Sequence, residues 1–454
     1  MSARPHTDPP PAPETPAGLP TQIGKYRIKA KLGEGATSEV FLAYDSFRGF
    51  DVAIKRVRMG LLGDDRERHY QQRFFAAEAA LVGHLQHPNV VQILDAVADD
   101  DAPYLVMEYV PGVTLRRYCR ADKLLPLAQV VEIGFKCAMA LGYVFRRGLI
   151  HRDVKPANLM VTLDGDQIAT VKITDFGSAF NLASEHTQVY RVGSLAYMSP
   201  EQLEGDLLDC RADIYSLSAV LYHLIAGRPP FDAQQQAVLM HQICNAAPPP
   251  LAEQREGIAP QLQALIERGL AKNRDERPAS WDDFSQALST LVAERLVPRG
   301  PLQGVLDSER FTLLRSLEFF EGFGDVELWE VVHRALWQRH TFGQALYRAG
   351  EEGNTFHIVT QGQVEVYRDG MKVASLGTGT SVGEMAYLAP NPELRKHSAD
   401  ILVSQPATTV AFTPESLRQL SLPTRHLFDA AFIRVLVRRL HAAHEALAHP
   451  RRIL

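Results

Sequence analysis

The order of hydrophobic periodicities along the chain is the feature that most limits its fold. From Tyr26 to about Pro111, short strand-like runs rich in β-branched and aromatic residues are interrupted by one helical stretch, Glu67–Leu85. From about Pro126 to Leu296, helical spacing dominates. Strands first and helices afterwards predict an α+β protein with two lobes. The predicted strands are Tyr26–Leu32, Val40–Asp45, Val52–Val57 and Tyr104–Tyr109, and the predicted helices are Leu127–Phe145, Asp213–Ala226 and Trp281–Leu296.

A proline/glycine break at Val297–Pro301 separates this region from one of different texture. Beyond the break, short strand-like runs alternate with glycines, which is typical of a small β-barrel or jelly roll with tight turns. The chain closes with a predicted amphipathic helix, Arg425–Ala448. The strand-like runs are Ala345–Arg348, Thr355–Thr360, Gln363–Arg368 and Lys372–Leu376.

These changes predict two folded domains joined by a linker. The N-terminal stretch is rich in proline and poor in apolar residues, so we expect a disordered tail there. The predicted segments are the tail 1–22, the two-lobed domain 23–296 with lobes 23–111 and 112–296, the linker 297–307, the second domain 308–448 and a short tail 449–454.

Composition excludes several classes of protein. A formal net charge of −5 gives no general attraction to nucleic acid or to an anionic membrane. The four cysteines show no CxxC spacing, which argues against zinc ribbons and disulfide scaffolds and favours a reducing compartment, with Cys137 buried. No run of about 18 apolar residues and no signal peptide is apparent, so we expect a cytoplasmic protein without a membrane span.

The glycine-containing segment Leu32–Val40 lies between two predicted strands. Glycines there would let backbone amides approach a phosphate chain, although an ordinary glycine hairpin is the favoured interpretation of an isolated Gly-Glu-Gly. Ser38 stands where a GxGxxG pattern has its third glycine. The segment comprises Leu32, Gly33, Glu34, Gly35, Ala36, Thr37, Ser38, Glu39 and Val40.

Lys55 closes the apolar strand run Val52-Ala53-Ile54. Its ammonium group would face either solvent or an internal ligand. Glu78, in the following helical stretch, could hold it inward, or could be an ordinary surface carboxylate. Neither residue decides between these readings alone.

The segment Ile150–Leu159 carries the strongest chemical signal. It places Asp153, Lys155 and Asn158 at fixed spacing between apolar ends, and Asp175-Phe176-Gly177 follows another apolar run, Thr170–Thr174. Magnesium prefers oxygen ligands and keeps several waters, so one carboxylate, one amide oxygen and phosphates make a suitable site.

Together these motifs resemble the signature set of eukaryotic-type protein kinases, in the bacterial branch. The resemblance covers about Tyr26 to Leu291 and implies a bilobal kinase fold. Ser199-Pro200-Glu201 is similar to the APE motif, Asp213–Leu217 to the start of the following helix, and Arg277 to the arginine that pairs with Glu201.

The resemblance implies a role for each residue in phosphoryl transfer from ATP to serine or threonine. Lys55, held by Glu78, would contact the α- and β-phosphates; Asp153 would accept or orient the proton of the substrate hydroxyl. Lys155 would stabilise the transferring group, and its position marks serine/threonine kinases. Asn158 and Asp175 would bind Mg²⁺, with Mn²⁺ as the alternative. The implied adenine-site residues are Leu32, Val40, Ala53, Met107 as gatekeeper, and Glu108 and Val110 of the hinge.

No departure from the family pattern removes a phosphate, metal or base ligand. Ser199 replaces alanine in the APE-like triplet, and Ser218 replaces a glycine. An active enzyme is therefore expected; the alternative is a non-catalytic ATP-binding scaffold that acts through the C-terminal domain.

Arg152 precedes Asp153, and kinases of this kind often need a phosphate in the activation loop for the arginine to pair with. The hypothesis is autophosphorylation at Thr187. The other acceptors are Ser184, Tyr190 and Ser194, of which Ser194 is expected to shape the substrate site.

From Leu313 to Leu440 the sequence resembles a cyclic-nucleotide-binding domain, on Gly350-Glu351-Glu352-Gly353, Gly362-Gln363-Val364 and Gly383-Glu384. The resemblance implies a β-roll that binds cyclic AMP or cyclic GMP. Glu384 after Gly383 would take the ribose hydroxyl. His397 stands before Ser398 where the family has the phosphate-binding arginine, so Arg395 or Lys396 would have to reach the phosphate. A solvated loop and a protein-interaction role are the alternatives.

The terminal helix carries an apolar stripe with three interpretations. Packing on its own barrel is favoured over homodimerisation, and a membrane-surface role ranks third. No helix-turn-helix follows the barrel, so a transcription factor is not expected. The stripe comprises Leu427, Phe428, Ala431, Val435 and Leu440.

Overall fold

The computed structural model describes residues 19–35, 38–57, 83, 85–97, 103–164, 167–176, 179–181, 195–298 and 306–448. The chain divides into two units, Met1–Leu302 and Gln303–Leu454, and each is described by itself. The predicted segment bounds remain predictions, with one difference at the start. Leu19 packs against the first core and Gln22 already lies in a strand, so residues 19–22 are not part of a disordered tail.

The N-terminal lobe is a six-stranded antiparallel sheet in the order β1-β2-β3-β4-β6-β5. Its core forms because alternate residues of each strand face inward, as Phe41 and Ala43 do on β3. The hairpin between β2 and β3 carries the glycine-containing segment. The strands are β1 Gln22–Ile23, β2 Tyr26–Glu34, β3 Ser38–Asp45, β4 Phe50–Val57, β5 Ile93–Val97 and β6 Tyr104–Glu108.

The C-terminal lobe is built around α1, Leu127–Arg146, which is apolar on nearly every face and buried at 18 of its 20 residues. A helix that is hydrophobic all round belongs in the centre of a core. Among the helices of the described ranges, α1 is the one whose length and composition would suffice to cross a membrane, and it is wholly buried in this lobe. The other helices are α2 Pro200–Glu204, α3 Cys210–Ala226, α4 Gln236–Asn245, α5 Pro260–Gly269 and α6 Trp281–Ala293.

Two small antiparallel sheets contain the strands on either side of the loop 151–158. One has the order β10-β9-β7 and the other pairs β11 with β8. Gly112, in the connection from β6 to β7, lies so close to β9 that an added Cβ would stand 2.0 Å from the carbonyl oxygen of Val161. The strands are β7 Val113–Thr114, β8 Leu149–Ile150, β9 Leu159–Asp164, β10 Gln167–Ile173 and β11 Phe180–Asn181.

The second unit is a β-roll with helices before and after it. Its sheet has the order β12-β17-β14-β15, with β13 paired to β17 and β16 paired to β14. The strands are β12 Leu336–His340, β13 Ala345–Tyr347, β14 Phe356–Arg368, β15 Met371–Leu376, β16 Ser381–Val382 and β17 Asp400–Phe412. The helices are α7 Asp307–Arg315, α8 Asp325–Arg334, α9 Glu384–Leu388, α10 Pro414–Arg418 and α11 Leu422–Ala448.

A cluster of phenylalanines fastens α11 to the roll. Phe428 is buried, and its ring centroid lies 4.9 Å from that of Phe412 and 5.3 Å from that of Phe323. Phe432 contacts Phe356 at 4.9 Å in an edge-to-face arrangement. The helix therefore packs on its own barrel, as favoured from the sequence. The predicted stripe ends sooner than expected, because Leu440 is exposed.

Three further boundaries differ from the sequence prediction for local reasons. Helix α3 begins at Cys210, before Asp213, because the Asp209 side chain caps it by accepting from the N–H of Arg211 at 2.8 Å. Helix α6 ends at Ala293, where Arg295 adopts a left-handed conformation. The two runs predicted on either side of Gly362 form one strand, β14, with bulges in its pairing to β17.

Candidate active site

The loop His151–Asn158 lies between β8 and β9, and α3 holds its backbone. Asp213, buried in the first turn of α3, accepts hydrogen bonds from the N–H groups of His151 at 2.7 Å and Arg152 at 2.8 Å. Arg152 has φ 67°, a conformation that costs a non-glycine residue about 1–3 kcal/mol. The two bonds to one carboxylate stabilise this turn. The sequence identified Asp213 as the start of a helix and missed this role.

Asp153 is the acceptor on which this loop converges. Its Oδ2 accepts from Lys155 Nζ at 2.7 Å and from Asn158 Nδ2 at 3.0 Å. Asn158 Nδ2 also donates to the backbone carbonyl of Asp153 at 2.9 Å. The three predicted catalytic and metal residues of the loop therefore lie in direct contact, and the amide of Asn158 keeps its oxygen available for another partner.

His151 links this loop to the segment that carries Asp175. Its Nε2 lies 3.2 Å from the carbonyl oxygen of Thr174 and therefore donates, whereas its Nδ1 accepts from the N–H of Asp153 at 3.3 Å. The two bonds define the neutral tautomer with the proton on Nε2. The ring also packs on Phe176, with centroids 4.7 Å apart.

Lys55 and Asp175 meet across the cleft between the lobes. Lys55 on β4 pairs in register with Val40 on β3, and its Nζ lies 2.7 Å from Asp175 Oδ1. Burial by itself would raise the pKa of Asp175, but the charge and hydrogen bond of Lys55 outweigh it and lower that pKa. Asp175 is therefore ionised at neutral pH. Glu78, the predicted partner of Lys55, lies outside the described residues.

Apolar residues of three strands line the cleft beside Lys55. Ala53 on β4 pairs with Met107 on β6, the predicted gatekeeper, and Leu32 lies on β2 with its side chain half exposed. Gly35 N–H donates to the carbonyl of Ser38 at 2.8 Å, which closes the hairpin above them. Ala36 and Thr37, at its tip, lie outside the described residues.

The predicted hinge is tied down by a contact that the sequence did not reveal. The Glu108 carboxylate accepts from Lys172 Nζ at 2.6 Å and from the N–H of Gln92 at 2.9 Å. Lys172 lies on β10, so this pair joins the sheets of the two lobes. Among the described residues, no acceptor faces the N–H of the buried Val110.

These residues fit ATP and a divalent cation. The N–H of the buried Val110, to which the described residues offer no acceptor, suits an adenine nitrogen, and the Lys55 ammonium suits phosphate oxygens. Asn158 and Asp175 supply one amide and one carboxylate oxygen, the hard ligands that magnesium prefers. In the described part of the chain, no three His, Cys, Asp or Glu residues are placed to hold a metal by themselves, so phosphate and water would complete its shell.

Residues 195–204 are anchored to the rest of the C-terminal lobe at two points, Tyr197 and Glu201. Glu201 receives a bidentate bond from Arg277, at 2.6 and 2.9 Å, and both side chains are buried. His223 donates from Nε2 to the carbonyl of Cys119 at 3.0 Å, and so its Nδ1 accepts from the Tyr197 hydroxyl at 2.8 Å. The phosphorylation candidates Ser184, Thr187, Tyr190 and Ser194 lie outside the described residues.

In the second unit, the residue expected to bind a ribose hydroxyl is in contact with the terminal helix α11. Gly383, at φ 83°, turns the chain into α9, whose first residue is Glu384. This carboxylate is 1% exposed and accepts a hydrogen bond from Arg439 of α11. Arg439 also donates to the carbonyl of Ser381 at 2.8 Å. Burial raises the pKa of Glu384, although the guanidinium of Arg439 opposes the shift.

None of the residues predicted to bind the cyclic phosphate is a buried cation. His397 is buried and stacks on Tyr347 with ring centroids 3.9 Å apart, and burial lowers its pKa, which favours the neutral form. Arg395 is exposed, and its Nε lies 3.3 Å from the carbonyl of Ala389. Ser398 is exposed as well. The carboxylate expected to take a ribose hydroxyl is therefore occupied by Arg439, and neither His397 nor Arg395 offers a buried positive charge to a cyclic phosphate.

Comparison with known proteins agrees with this division. A family model for the protein kinase domain matches residues 26–290, and one for the cyclic nucleotide-binding domain matches residues 338–422. The fold expected from the sequence, a kinase domain followed by a β-rich cyclic-nucleotide-binding-like domain, is thus confirmed.

Curated relatives match the first unit. Serine/threonine-protein kinase PknB of Mycobacterium leprae is 38% identical over 300 residues, which cover 64% of this chain and 46% of the relative. PknB of Mycolicibacterium smegmatis is 35% identical with the same coverage. The probable serine/threonine-protein kinase SCO3848 of Streptomyces coelicolor is 34% identical over 310 residues, 64% of this chain and 45% of the relative. The chain spans about half the length of these relatives. Because the kinase-domain model covers more than half of its residues, the chain belongs to the protein kinase family.

Proposed function

We propose that the chain is a serine/threonine protein kinase that transfers the γ-phosphoryl group of ATP to protein hydroxyls. The observation that carries the proposal is the contact of Lys155 and Asn158 with one oxygen of Asp153. A structural loop has no need of a lysine and an amide that converge on one oxygen of a carboxylate. The names of the relatives, which are serine/threonine-protein kinases, support the same activity.

Each side chain has a distinct task in this reaction. Asp153 orients the acceptor hydroxyl and takes its proton, and Lys155, 2.7 Å away, offers positive charge where negative charge develops. Lys55 binds phosphate oxygens, and its pairing with Asp175 lowers the pKa of that carboxyl group and keeps it charged. A divalent cation, held by Asn158 and Asp175, would supply neutralisation of the phosphate charge.

The test is an autophosphorylation assay with labelled ATP on the full chain. Asp153→Asn should lower the rate about 10³-fold, because general-base catalysis contributes roughly 10²–10⁴. Asp122→Asn is the matched control, since Asp122 pairs only with Arg120 in the described structure and lies on the surface. Equal rates for wild type and Asp153→Asn would refute the proposed activity and favour the scaffold.

We further propose that the kinase autophosphorylates at Thr187 to become active. A phosphate there would carry close to two negative charges and could pair with Arg152, next to the catalytic aspartate. Phosphopeptide mass spectrometry of the wild type and of Thr187→Ala checks this. Full activity of Thr187→Ala without phosphate on the segment would contradict it.

The proposed role of the second unit is to regulate the kinase in the cytoplasm. The buried Glu384 is the group that a ligand hydroxyl would have to reach, and Arg439 already covers it. Calorimetry and kinase assays of the full chain with cyclic AMP and cyclic GMP test the nucleotide. If millimolar ligand produced no heat of binding and no change in kinase rate, regulation by cyclic nucleotides would be overturned.

A further inference from the structure

The backbone of Arg152, which leads into Asp153, is held at both its N–H and its carbonyl group. On one side, Asp213 accepts the N–H groups of His151 and Arg152, as described above. On the other side, Gln202 Nε2 donates to the carbonyl oxygen of Arg152 at 2.8 Å. Arg152, Gln202 and Asp213 are all buried. The carbonyl that Gln202 binds belongs to the peptide unit whose nitrogen is that of Asp153, so this bond fixes the plane from which the catalytic side chain projects.

The other end of the same amide is also bound. Gln202 Oε1 accepts from the N–H of Ser199 at 3.0 Å and lies 3.2 Å from its hydroxyl. Ser199 precedes α2, and this contact is half of a capping box, a motif in which glutamate serves as well as glutamine. The bond to Arg152 has a different requirement. A carbonyl oxygen only accepts, so position 202 must donate there, and an ionised glutamate cannot.

We propose that Gln202 is a positioning residue for the catalytic loop. Its amide joins the start of α2 to the strained turn at Arg152 and thereby sets the orientation of Asp153. The proposal rests on the kinase activity proposed above. Capping alone would not require the second bond, and neither the sequence pattern nor the family comparisons assign Gln202 a part in the reaction.

Three variants of the full chain separate positioning from capping. Gln202→Glu keeps an acceptor for the Ser199 N–H but loses the donor to Arg152, whereas Ser199→Ala removes the Ser199 hydroxyl and leaves the bond to Arg152 in place. Gln202→Met removes both ends with little change in volume. Steady-state kinetics with ATP and a generic protein acceptor, together with thermal melts, measure each one.

We expect kcat of Gln202→Glu and Gln202→Met to fall about 10- to 100-fold, since small misplacements of a catalytic group reach that size. The KM for ATP should stay within about twofold, because the residues that bind ATP are untouched. Ser199→Ala should keep kcat within about twofold and lower Tm by roughly 2–4 °C, because it loses the hydrogen bond that the buried Ser199 hydroxyl donates to Gln202 Oε1.

The pH profile gives a readout that a purely structural role would not produce. A glutamate buried against a carbonyl oxygen has a raised pKa, and once protonated it can donate to that oxygen. The kcat of Gln202→Glu should therefore recover relative to wild type as the pH falls towards 5, whereas Gln202→Met should show no recovery.

Three results would overturn the positioning role: a wild-type kcat in Gln202→Glu, an equal kcat loss in Ser199→Ala, or a loss confined to KM. A wild-type chain that transfers no phosphate would instead refute the proposed function, and the positioning role with it.

Discussion

Asp175 and Glu384, the acidic residues of the two candidate sites, are held in opposite ways. In the kinase cleft, Asp175 pairs with Lys55 while 43% of its side chain remains accessible, so its partner can be exchanged for a ligand. In the second unit, Glu384 is 1% exposed and is covered by Arg439 of the chain's own terminal helix. The charge of Asp175 remains accessible to a ligand, whereas the charge of Glu384 is already neutralised by Arg439.

The difference predicts whether the loss of each ion pair will lower activity or stability. A partly exposed pair contributes little to stability, because water competes with it, and so its removal should appear in activity. Removal of the cation that pairs with a buried carboxylate destabilises the fold, because the remaining charge is left buried without its partner. The four predictions below test this division, from the largest effect to the smallest.

Removal of the cleft cation tests the first half of the contrast. Lys55→Met should lower kcat/KM for ATP about 10³-fold, since it removes the ammonium group expected to bind phosphate. The free energy of unfolding should change by less than about 1 kcal/mol. Steady-state kinetics and urea denaturation measure the two quantities, and a large stability loss with intact activity would break the comparison.

Acid should act on the second unit. Burial, and then the neighbouring His340 and His397, lower the pKa of His357 from 6.5 to about 4. The unfolded chain therefore binds a proton that the folded unit refuses, and stability is lost as the pH falls from 6.5 to 4. The loss at pH 4 should be about 3 kcal/mol, at about 1.36 kcal/mol per pKa unit.

Hydrogen-exchange mass spectrometry of the full chain resolves this loss unit by unit. His357→Asn is the control, because an amide can keep a hydrogen bond to Thr409, which His357 Nδ1 now contacts at 2.9 Å, without titrating. The same acid loss in that variant would assign the effect to other groups.

Two arginines on α11 form a matched pair. Arg439→Met leaves the buried Glu384 without its cation and should cost about 2 kcal/mol, less than the 3–5 of a fully buried pair because Arg439 is 42% exposed. Since the pKa of Glu384 should then rise further, the variant's stability should fall as the pH rises above 4.5. Arg438→Met, whose partner Glu318 is 66% exposed, should lose less than about 1 kcal/mol. Equal losses in pH-dependent melts would erase the distinction.

The smallest effect is expected at the hinge. Lys172→Met removes the cation that holds Glu108, which should loosen the strand beside the adenine site. The KM for ATP should rise about two- to fivefold with little change in kcat. A control is Lys123→Met, an exposed residue of the same lobe. An unchanged KM would show that the backbone alone fixes the hinge.

Local sequence signals predicted most of the fold because they coincide with local physics. The strands of the first lobe alternate inward and outward residues, and α1 is apolar on nearly every face, so both were recognisable. Strand β14 was split in two because Gly362 suggested a turn, whereas the structure has bulges there.

The sites were predictable to the extent that spacing along the chain determines them. Asp153, Lys155 and Asn158 lie within one loop and were found together. Contacts between distant elements were missed, because nothing in the sequence relates Arg439 to Glu384, 55 residues earlier. Gln202 directly follows the APE-like triplet, yet its bond to Arg152 depends on the left-handed turn at that residue, which spacing does not show.

Gly112 sets a limit on how this chain can vary. Any side chain there would meet the carbonyl of Val161 at 2.0 Å, and backbone, unlike a flexible side chain, does not move aside cheaply. Every substitution, even to alanine, would have to move the connection from β6 to β7 away from β9. In a saturation library selected for kinase activity, position 112 should therefore return glycine alone, although it lies on the surface and touches no catalytic group.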